Sequence, residues 1–562
     1  MAYCLTSKTN DCKNCYKCIR GCPTKSISFS SNQASIIHDE CVLCGQCYIS
    51  CPQDTKVIRN DISLVKNLIS NNQKVIVSLA PSFFVNYRDA GFINVKEALL
   101  KLGFYDVEET AIGATIVKKV YDQMINEHKQ DVIISSCCHS VNLLIQKHHP
   151  KVLPYLANVL SPMLAHGEDI KSRYPDAKVV FIGPCIAKKD EADKNRLYID
   201  AALTFLELNQ WLDEAGISIS KEDKDSKTDN SKTRLFPISG GILSSMEKKN
   251  SDYHYLVIDG MENAIRAIKD IESGKIHNCF IEMSACYGSC INGPATIQEN
   301  KAPIQDFLLI KSKAGKKDFV TPNKSYDDIR KDFYEISVKK ALPSEKEIEN
   351  VLKEMGKNDK SKELNCGSCG YNTCRDKAIA ILEGKAVKEM CLPYLMEKAQ
   401  SFSDKIVNNT PNGLMVLDEN LNIQLMNQSM CKIIGVPNAS FVNGKNVTTI
   451  LEPDLYAKVL CGLDTVHGKK SYLTEYNKYI EQTIVYDKQF HILIAIVRDI
   501  TTEEIDRQKK EELVAKSIEI TNKVIDKNMR SVQEIASLLG ETAAETKVAL
   551  SSLKDTLKDD IE

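Results

Sequence analysis

The cysteines of the first 60 residues constrain the fold of this chain more than any other feature. They form the run C-x2-C-x2-C-x3-C-P twice. In such a run, three closely spaced thiolates hold one [4Fe–4S] cluster, and the fourth, set apart by the proline turn, ligates the other cluster. The spacing therefore predicts two clusters with exchanged fourth ligands, and two zinc knuckles are the alternative. The predicted ligand sets are Cys12, Cys15, Cys18 and Cys51 for the first cluster, and Cys41, Cys44, Cys47 and Cys22 for the second.

Net charge and hydropathy exclude several classes of function for this chain. The chain has 562 residues and a net charge of −2 spread along its length, which gives no electrostatic basis for binding nucleic acid or an anionic membrane. The sequence contains no run of about 20 apolar residues, and its N-terminus lacks the apolar core of a signal peptide. Its 21 cysteines stand mostly in short clusters, which indicate metal binding rather than disulfides in a cytosolic protein. We therefore predict a cytoplasmic protein of several domains.

The cysteine-rich head, residues 1–60, resembles bacterial two-cluster ferredoxins, and the resemblance implies a domain that conducts electrons. After it, residues 61–345 alternate apolar strand-like runs with helical patterns, which predicts an α/β domain on a mostly parallel sheet. We expect a helix over 61–75, a strand in KVIVSLAP, and a solvated loop in the polar run at 221–234.

Widely separated cysteines follow apolar strands in this α/β region. They are Cys138, Cys185, Cys286 and Cys290. Open α/β sheets bind ligands outside the carboxyl ends of their strands, which suits a shared site. The spacing of Cys286 and Cys290 puts both on one side if their turn is helical. Each of these residues alone would be interpreted as an inert buried thiol.

The segments around these cysteines resemble the signature segments of [FeFe] hydrogenases, and the similarity extends over roughly residues 75–345. In that family four cysteines bind a [4Fe–4S] cube, and the last also bridges to a diiron site with CO, cyanide and a dithiolate carrying a bridgehead amine. The whole group is the H-cluster. The resemblance implies that Cys138, Cys185, Cys286 and Cys290 bind the cube, with Cys290 as the bridge.

The adjacent Cys137 matches the proton-relay thiol of the family, which exchanges protons with the bridgehead amine. Neighbouring side chains of a strand point to opposite faces, so Cys137 and Cys138 are expected to serve different partners. The resemblance also places Ala80, Pro81 and Ser82 at one cyanide and Lys188 at the other. An ordinary surface lysine at a helix start is the alternative for Lys188.

The chain departs from the family in its proton chain. The glutamate next to the relay thiol falls on Lys119, a serine beyond it falls on Ala157, and the second acid is shortened to Asp122. Lysine and alanine cannot continue a carboxylate–hydroxyl relay, so we expect slow proton delivery by the usual route. His139, which replaces the usual proline, and Lys119 are candidates for another route.

Two methionines that pack around the diiron site in the family fall on Gly183 and Ser284. Loss of two apolar side chains predicts a roomier and more polar pocket.

A second cysteine group lies at 346–395 and resembles a small [4Fe–4S] domain of several redox proteins, with structural zinc as the alternative. Its four thiols are those of Cys366, Cys369, Cys374 and Cys391. Residues 396–502 resemble a PAS domain, a sensor module with one antiparallel sheet. Within it, Asp418, Glu419 and Asn420 are the predicted turn between two strands.

The last segment, 503–562, is charged and helical. A heptad seam with two polar interruptions favours a parallel homodimer, and an amphipathic helix packed on its own PAS domain is the alternative. Gly540 is expected to end the helix, and Leu550, Leu553 and Leu557 to begin another apolar stripe. The seam residues are Val514, Ile518, Thr521, Ile525, Asn528, Val532, Ile535 and Leu539.

The sequence thus predicts a multidomain α/β and α+β protein: two-cluster ferredoxin head, α/β hydrogenase domain, small helical [4Fe–4S] domain, PAS domain and C-terminal helices. The leading hypothesis is a sensory [FeFe] hydrogenase that reacts slowly and reversibly with H2. Its cofactors would be the H-cluster and three further [4Fe–4S] clusters. Its partners would be H2 and protons, a redox protein such as ferredoxin, and an unidentified signalling protein. The alternatives are a metabolic ferredoxin-linked hydrogenase, a non-catalytic iron–sulfur scaffold, and a redox sensor that ignores hydrogen.

Overall fold

The structure is a computed structural model, and it describes residues 3–9, 11–71, 74–222, 224–225, 231–246, 250–297, 302–337, 342–462 and 465–559. The chain divides into two compact units, Met1–Leu395 and Met396–Glu562. Part of the polar run at 221–234, predicted to be a solvated loop, lies outside the described residues.

The first unit contains the head, the α/β domain and the small cysteine domain. Its strands are β1 Leu5–Ser7, β2 Ile27–Ser30, β3 Gln33–Ile36, β4 Lys56–Ile58, β5 Val75–Leu79, β6 Asp106–Glu109, β7 Val132–Ile134, β8 Lys178–Gly183, β9 Ala201–Thr204, β10 His254–Asp259 and β11 Cys279–Ser284. Its helices are α1 Lys17–Arg20, α2 Gln46–Ile49, α3 Ile62–Ser70, α4 Phe83–Asn86, α5 Phe92–Lys101, α6 Ala111–Asn126, α7 His139–His148, α8 Pro162–Arg173, α9 Ala187–Lys194, α10 Phe205–Glu214, α11 Gly241–Ser245, α12 Met261–Glu272, α13 Pro303–Lys313, α14 Glu345–Glu354 and α15 Cys374–Leu382. The predicted helix over 61–75 and the strand after it are α3 and β5.

The α/β domain has two parallel sheets where the sequence predicts one. The first sheet has the strand order β6-β5-β8-β9, the second has the order β10-β11-β7, and all neighbouring strands are parallel. β5 is buried along its whole length, as expected of an apolar strand inside a parallel sheet that is covered on both faces. The division into two sheets is invisible in the sequence because periodicity does not reveal which strands pair.

The loops that carry the predicted site leave the carboxyl ends of strands from both sheets. Ala80 follows β5 and Cys185 follows β8 in the first sheet, whereas Cys138 follows β7 and Cys286 follows β11 in the second. The sheets therefore deliver the cysteines from two sides, at the strand ends where α/β folds present ligands.

The head consists of two antiparallel strand pairs, β1 with β4 and β2 with β3. Its short helices α1 and α2 carry the third cysteine of each run, Cys18 and Cys47. Gly45, which precedes α2 with a φ of 76°, packs against Pro294, and a Cβ at position 45 would lie 2.4 Å from the Pro294 Cβ. The head therefore contacts the α/β domain next to the Cys290 loop, and only glycine permits this approach.

The small cysteine domain packs on the head. Gly370 has a φ of 95°, and a Cβ there would lie 2.8 Å from Ile19 Cγ2. The guanidinium of Arg20 donates to the Ser368 carbonyl at 3.0 Å, and the ammonium of Lys25 donates to the Gly370 carbonyl at 2.8 Å. The sequence order alone does not predict this contact, which joins segments about 350 residues apart.

The second unit has an antiparallel sheet with the order β13-β12-β16-β15-β14. Its strands are β12 Gly413–Asp418, β13 Ile423–Met426, β14 Val466–Leu473, β15 Lys478–Asp487 and β16 Ile492–Asp499. The remaining helices are α16 Leu392–Asn409, which begins in the first unit, α17 Gln428–Ile433, α18 Asp454–Leu460 and α19 Thr501–Asp559. The predicted strand–turn–strand is confirmed as β12 and β13, with Glu419 and Asn420 in the turn, but Asp418 is the last residue of β12 and not a turn residue.

The prediction that Gly540 ends the C-terminal helix is wrong, because α19 runs without a break for 59 residues. One interior glycine costs a helix about 1 kcal/mol relative to alanine, and the neighbouring Leu538, Leu539, Ala543 and Ala544 are strong helix formers. The alternative of a helix packed on its own PAS domain is also wrong, because every described side chain from Ile505 to Lys554 is exposed. The side chain of Leu557 lies outside the described residues.

Candidate metal-cluster site

Four cysteine thiols from distant loops meet between the two sheets. The pKa of Cys185 is raised to about 11, first by burial and then by the charge of Cys138. The pKa of Cys290 is raised to about 12 by burial and then by Cys138 and Cys185, and burial together with all three neighbours raises that of Cys286. Thiols whose pKa values are raised in this way ionise only when a cation neutralises them. The arrangement is therefore suited to a metal cluster.

The segment between the last two ligands is not the helical turn that their spacing predicts. Gly288 and Ser289 both have positive φ, 72° and 65°, and a 3-10 turn begins only at Ser289. The Gly288 N–H donates to Asp259 Oδ2 at 3.0 Å and anchors the turn to the end of β10. A tight turn, rather than a helix face, therefore brings Cys286 and Cys290 together.

Cys137 and Cys138 have different neighbours, as their adjacency predicts. The thiol of Cys137 lies 3.4 Å from the Tyr121 hydroxyl, and its pKa is raised to about 12 by burial. Its carbonyl accepts a hydrogen bond from Lys188 Nζ at 3.1 Å. Cys138 instead adjoins the other thiols of the cluster site. Cys137 therefore lies next to the four-thiol site, but its own neighbours are groups other than the cluster thiols.

Lys188 is not in bulk water. Only 13% of its side chain is exposed, and its ammonium pairs with Glu191 one turn along α9. Burial lowers the pKa of Lys188, but the Glu191 carboxylate outweighs burial and raises it. Burial likewise raises the pKa of Glu191, yet Lys188 and Lys331 lower it to about 2. The pair is therefore ionised at neutral pH, and Lys188 is held as a fixed cation beside Cys137.

The turn after β5 carries a buried serine hydroxyl that lacks a hydrogen-bond partner among the described residues. Ser82 is 1% exposed, and its Oγ has no hydrogen-bond partner among the described residues. An unpaired buried hydroxyl costs about 1–3 kcal/mol, which a polar ligand atom would recover. The thiols, the Lys188 cation and the free Ser82 hydroxyl fit a cofactor with anionic, hydrogen-bond-accepting groups.

The pocket is not roomier at Gly183, and this prediction is wrong. A Cβ at Gly183 would lie 2.6 Å from Phe181 Cζ and 3.0 Å from Ala80 Cβ. The Phe181 ring therefore occupies space beside position 183 that a larger side chain there would need. Ser284 is half-buried, and its hydroxyl donates to the Cys286 carbonyl at 3.4 Å.

The candidate alternative proton carriers have hydrogen-bond partners other than Cys137. The ammonium of Lys119 donates to Thr321 Oγ1 at 3.0 Å, and His139 Nε2 lies 2.8 Å from Asp190 Oδ2. Ala157 is fully buried, and Asp122 is half-buried on α6.

Sequence reasoning missed Tyr121 and Glu282, which both adjoin Cys137. The Tyr121 hydroxyl accepts the Ser136 N–H at 2.9 Å and lies 3.4 Å from the Cys137 thiol. Burial raises the pKa of Glu282 to about 7, despite N–H donors such as that of Leu243 at 3.1 Å. The charge of Glu282 also acts on the Cys137 thiol. An acidic residue inside the otherwise apolar strand FIEMS is the signal that was available for Glu282.

Replacing Tyr121 with phenylalanine tests its coupling to Cys137. The Tyr121 hydroxyl lowers the pKa of Cys137, and it is the acceptor for the buried Ser136 N–H. We expect Tyr121→Phe to reduce stability by about 1–3 kcal/mol and to move the pH profile of any Cys137-dependent reaction to higher pH. Tyr253→Phe is the matched control, since it removes a hydroxyl that donates to the Gln130 carbonyl and leaves Cys137 untouched. Equal pH profiles for the two variants would contradict the coupling.

The head brings its eight cysteines together in the two predicted sets. The pKa of Cys18 is raised by burial and then by Cys12, Cys51 and Cys15. The pKa of Cys47 is raised by burial and then by Cys41 and Cys22. Cys51 therefore adjoins the first set and Cys22 the second.

The cysteines of the small domain line one pocket with two buried lysines, Lys357 and Lys377. Lys377 is 1% exposed and donates to the Val387 carbonyl at 2.6 Å. Burial lowers its pKa to about 8, although Cys369 and Cys391 raise it. The thiols that line the pocket are those of Cys366, Cys369, Cys374 and Cys391.

A cation fixed beside this pocket favours the reduced, more negative state of a cluster bound there. We expect Lys377→Met to lower the reduction potential of that cluster by on the order of 50 mV, about tenfold in equilibrium constant. Redox titration followed by electron paramagnetic resonance measures this change in reduction potential. Lys388→Met is the control, since that side chain is 36% exposed and pairs with Glu354, and it should shift the potential by less than about 10 mV. Equal shifts would refute a specific role for Lys377.

Family models match four parts of the chain. The 4Fe-4S dicluster domain matches residues 4–52, and the iron only hydrogenase large subunit, C-terminal domain, matches residues 73–294. The central domain belongs to the iron-only hydrogenase family. An Fe-S cluster family matches residues 363–393 of this hydrogenase-family protein, and the PAS fold matches residues 402–504. The chain is therefore a hydrogenase-like iron–sulfur protein with a C-terminal PAS domain.

Relatives of the hydrogenase-family domain include both hydrogenases and Fe-S cluster assembly factors by name. Iron hydrogenase 1 of Clostridium pasteurianum is 25% identical over 46% of this chain and 56% of its own length. The cytosolic Fe-S cluster assembly factor narfl of Xenopus tropicalis is 21% identical over 49% of this chain and 75% of its own length. A variant of the [FeFe]-hydrogenase HydA1 from Chlamydomonas reinhardtii covers 50% of this chain and 100% of its own, with 14% identity and a TM-score of 0.40. Across the parts of the chain that the structure describes, each helix is too short or too polar to span a bilayer.

Proposed function

We propose that this chain is a sensory [FeFe] hydrogenase, which reacts slowly and reversibly with H2 and reports the result through its PAS domain. The observation that supports this most is the buried Lys188 cation, which donates to the Cys137 carbonyl and, against the larger effect of burial, lowers the pKa of the Cys137 thiol beside the four-thiol site. An iron–sulfur cube alone requires only the four thiols. The additional cation, relay thiol and unpaired Ser82 hydroxyl suit a second, anionic group.

The residues fit the H-cluster. Cys138, Cys185, Cys286 and Cys290 would hold the cube, with Cys290 as the bridge. Ser82 with Ala80 and Pro81 would contact one cyanide, and Lys188 the other. When bound, the diiron group supplies the splitting of H2 into two protons and two electrons. The role of the surrounding chain is to orient the group, exclude water from it and carry protons away.

The proton path supports a slow reaction. The Cys137 thiol can hold a proton at its Sγ and exchange it with a neighbouring base, and the next described group is the Tyr121 hydroxyl at 3.4 Å. Burial and the Cys137 charge raise the pKa of Tyr121 well above its usual range, so it does not act as an anion at neutral pH. Lys119, at the position of the family's glutamate, is bound to Thr321 instead. The route that is usual in the family needs a carboxylate at position 119, so without one that route delivers protons slowly.

The neighbouring cysteine sets support a path for electrons from the candidate site through the head to the small domain. Cys286 of the candidate site is acted on by the charge of Cys44 in the head. Lys25 feels the charges of both Cys22 in the head and Cys369 in the small domain. Helix α16 begins immediately after Cys391, a ligand of the last cluster, and leads into the PAS domain. This order supports electron transfer towards the sensor module, with a redox protein such as ferredoxin and a downstream signalling protein as partners.

Infrared spectroscopy of protein matured with the diiron group tests the proposal. The expected result is a set of bands from bound CO and cyanide that change when H2 is added. Lys188→Met should lose these bands while the cube signal in electron paramagnetic resonance remains, because the cation that holds one cyanide is gone. Lys171→Met is the control, since Lys171 pairs with Asp200 away from the thiols. Matured wild-type protein without such bands would rule out the function.

A non-catalytic iron–sulfur scaffold is the second candidate. It is favoured by the relative named as a cytosolic Fe-S cluster assembly factor. A scaffold would carry cubes and show neither infrared bands nor a response to H2. The same infrared experiment therefore separates the two functions.

A further inference from the structure

Helix α19 presents a long apolar face to solvent. The relative exposures of Ile518, Ile525 and Val532 are 56%, 51% and 60%, in a stretch where all described side chains are exposed. A helix in water gains most of its stability from packing such a face, and monomeric proteins rarely expose apolar patches larger than a few hundred Å². The face therefore requires a partner.

We propose that a second copy of this chain covers the face, and that the two α19 helices form a parallel two-stranded coiled coil over residues 514–539. The apolar positions recur at alternating intervals of four and three, which is the heptad seam of a left-handed coiled coil. The seam has two sets of layers, Ile518, Ile525, Val532 and Leu539 at the a positions, and Val514, Thr521, Asn528 and Ile535 at the d positions.

The charge pattern favours an identical partner. The positions that flank the seam between 514 and 539 carry no charged residue, so two identical helices can align without like-charge repulsion. The charges lie on the opposite side, at positions such as Lys516, Asp526 and Arg530. A different protein recognised through charge would require charged flanks. The flanking residues are Ala515, Ser517, Asn522, Val524, Met529, Ser531, Ala536 and Leu538.

The residues of the seam favour a parallel coiled coil of two helices. Ile518, Ile525 and Val532 are β-branched residues at a positions, which parallel dimers prefer. Asn528 meets its own copy only in a parallel, in-register pair, where the two amides can hydrogen-bond to each other. A polar layer of this kind fixes register at a cost in stability.

The base of each helix is fixed to its sheet. Glu504 is buried, and Gln508 Nε2 donates to the Tyr479 hydroxyl at 3.1 Å. A parallel pair therefore places both PAS domains at the same end.

The mass of the full-length, cluster-loaded protein at micromolar concentration tests the proposal. We expect twice the 62.9 kDa of one chain. Ile535→Asp should weaken dimerisation more than about 100-fold, because it buries a carboxylate in each copy of the seam. Ser537→Asp adds the same charge two residues away, outside the seam, and should remain dimeric. Cluster absorbance verifies that both variants are folded.

Two further measurements distinguish a specific effect on dimerisation from misfolding of a variant. Asn528→Leu should tighten the dimer at least about tenfold, an effect that a damaged protein cannot give. Fluorescent proteins fused to the C-termini should show energy transfer in mixed dimers, whereas antiparallel helices would separate them by more than about 80 Å.

Several results would overturn the proposal: a monomeric or tetrameric wild type, a dimer that resists Ile535→Asp, equal effects of the two aspartates, no tightening by Asn528→Leu, or a dimer without energy transfer. None of these results depends on hydrogen chemistry, so the proposed function stands or fails separately.

Discussion

Replacing Cys137 with alanine should reduce H2 turnover by more than about 100-fold while leaving the infrared bands of the cofactor in place. Proton transfer by a positioned side chain contributes about 10²–10⁴-fold to a rate, and in the proposed function the Cys137 thiol is the proton carrier beside the cluster site. The four cube ligands and Lys188 are unchanged by the substitution, so loading should persist. Turnover of matured protein with an artificial electron acceptor, together with infrared spectroscopy, measures both quantities.

Cys279→Ala is the matched control for this prediction. Cys279 is buried and lies at the start of β11, where its thiol donates to the His277 carbonyl at 3.0 Å. Its loss should leave turnover within about twofold of the wild type. If Cys137→Ala turns over as fast as Cys279→Ala, the relay role of Cys137 is wrong.

Replacing Lys189 with methionine should destabilise the first unit by about 3–5 kcal/mol. The Lys189 side chain is fully buried and donates to Asp61 Oδ2 at 2.7 Å, Glu207 Oε1 at 2.8 Å and the Ala202 carbonyl at 2.9 Å. Removing the cation takes this partner from the buried Glu207 carboxylate, whereas Asp61 keeps its ion pair with Arg59. For a unit of this size the melting temperature should fall by roughly 5 °C, measured by calorimetry.

Lys194→Met is the control on the same helix. The Lys194 side chain is 52% exposed and pairs with Asp190, and a surface pair of this kind contributes about 0–1 kcal/mol. The melting temperature of the Lys194→Met variant should differ from that of the wild type by less than about 1 °C. Similar shifts for both lysines would show that the buried network does not stabilise the unit.

The cluster ligands of the head could be predicted from cysteine spacing, because ligation there is encoded locally, whereas the four thiols of the candidate site come from distant loops and were assigned through the family resemblance. The exchanged sets of the head, with Cys22 beside Cys47 and Cys51 beside Cys18, follow from one repeated run. The different neighbours of Cys137 and Cys138 follow from the alternation of an extended chain. Two local predictions failed because the surrounding structure determines the outcome. Gly540 lies inside the long helix α19 and does not end it, and the Phe181 ring fills the space beside Gly183.

The sequence alone determined the ligand sets of the head and the heptad seam, because each depends on spacing within one short segment. Only the tertiary structure decided that the strands form two sheets, that Tyr121 and Glu282 adjoin Cys137, and that Gly370 packs on Ile19. These contacts join segments far apart in the chain. Their geometry depends on how whole elements pack, which no local pattern of residues records.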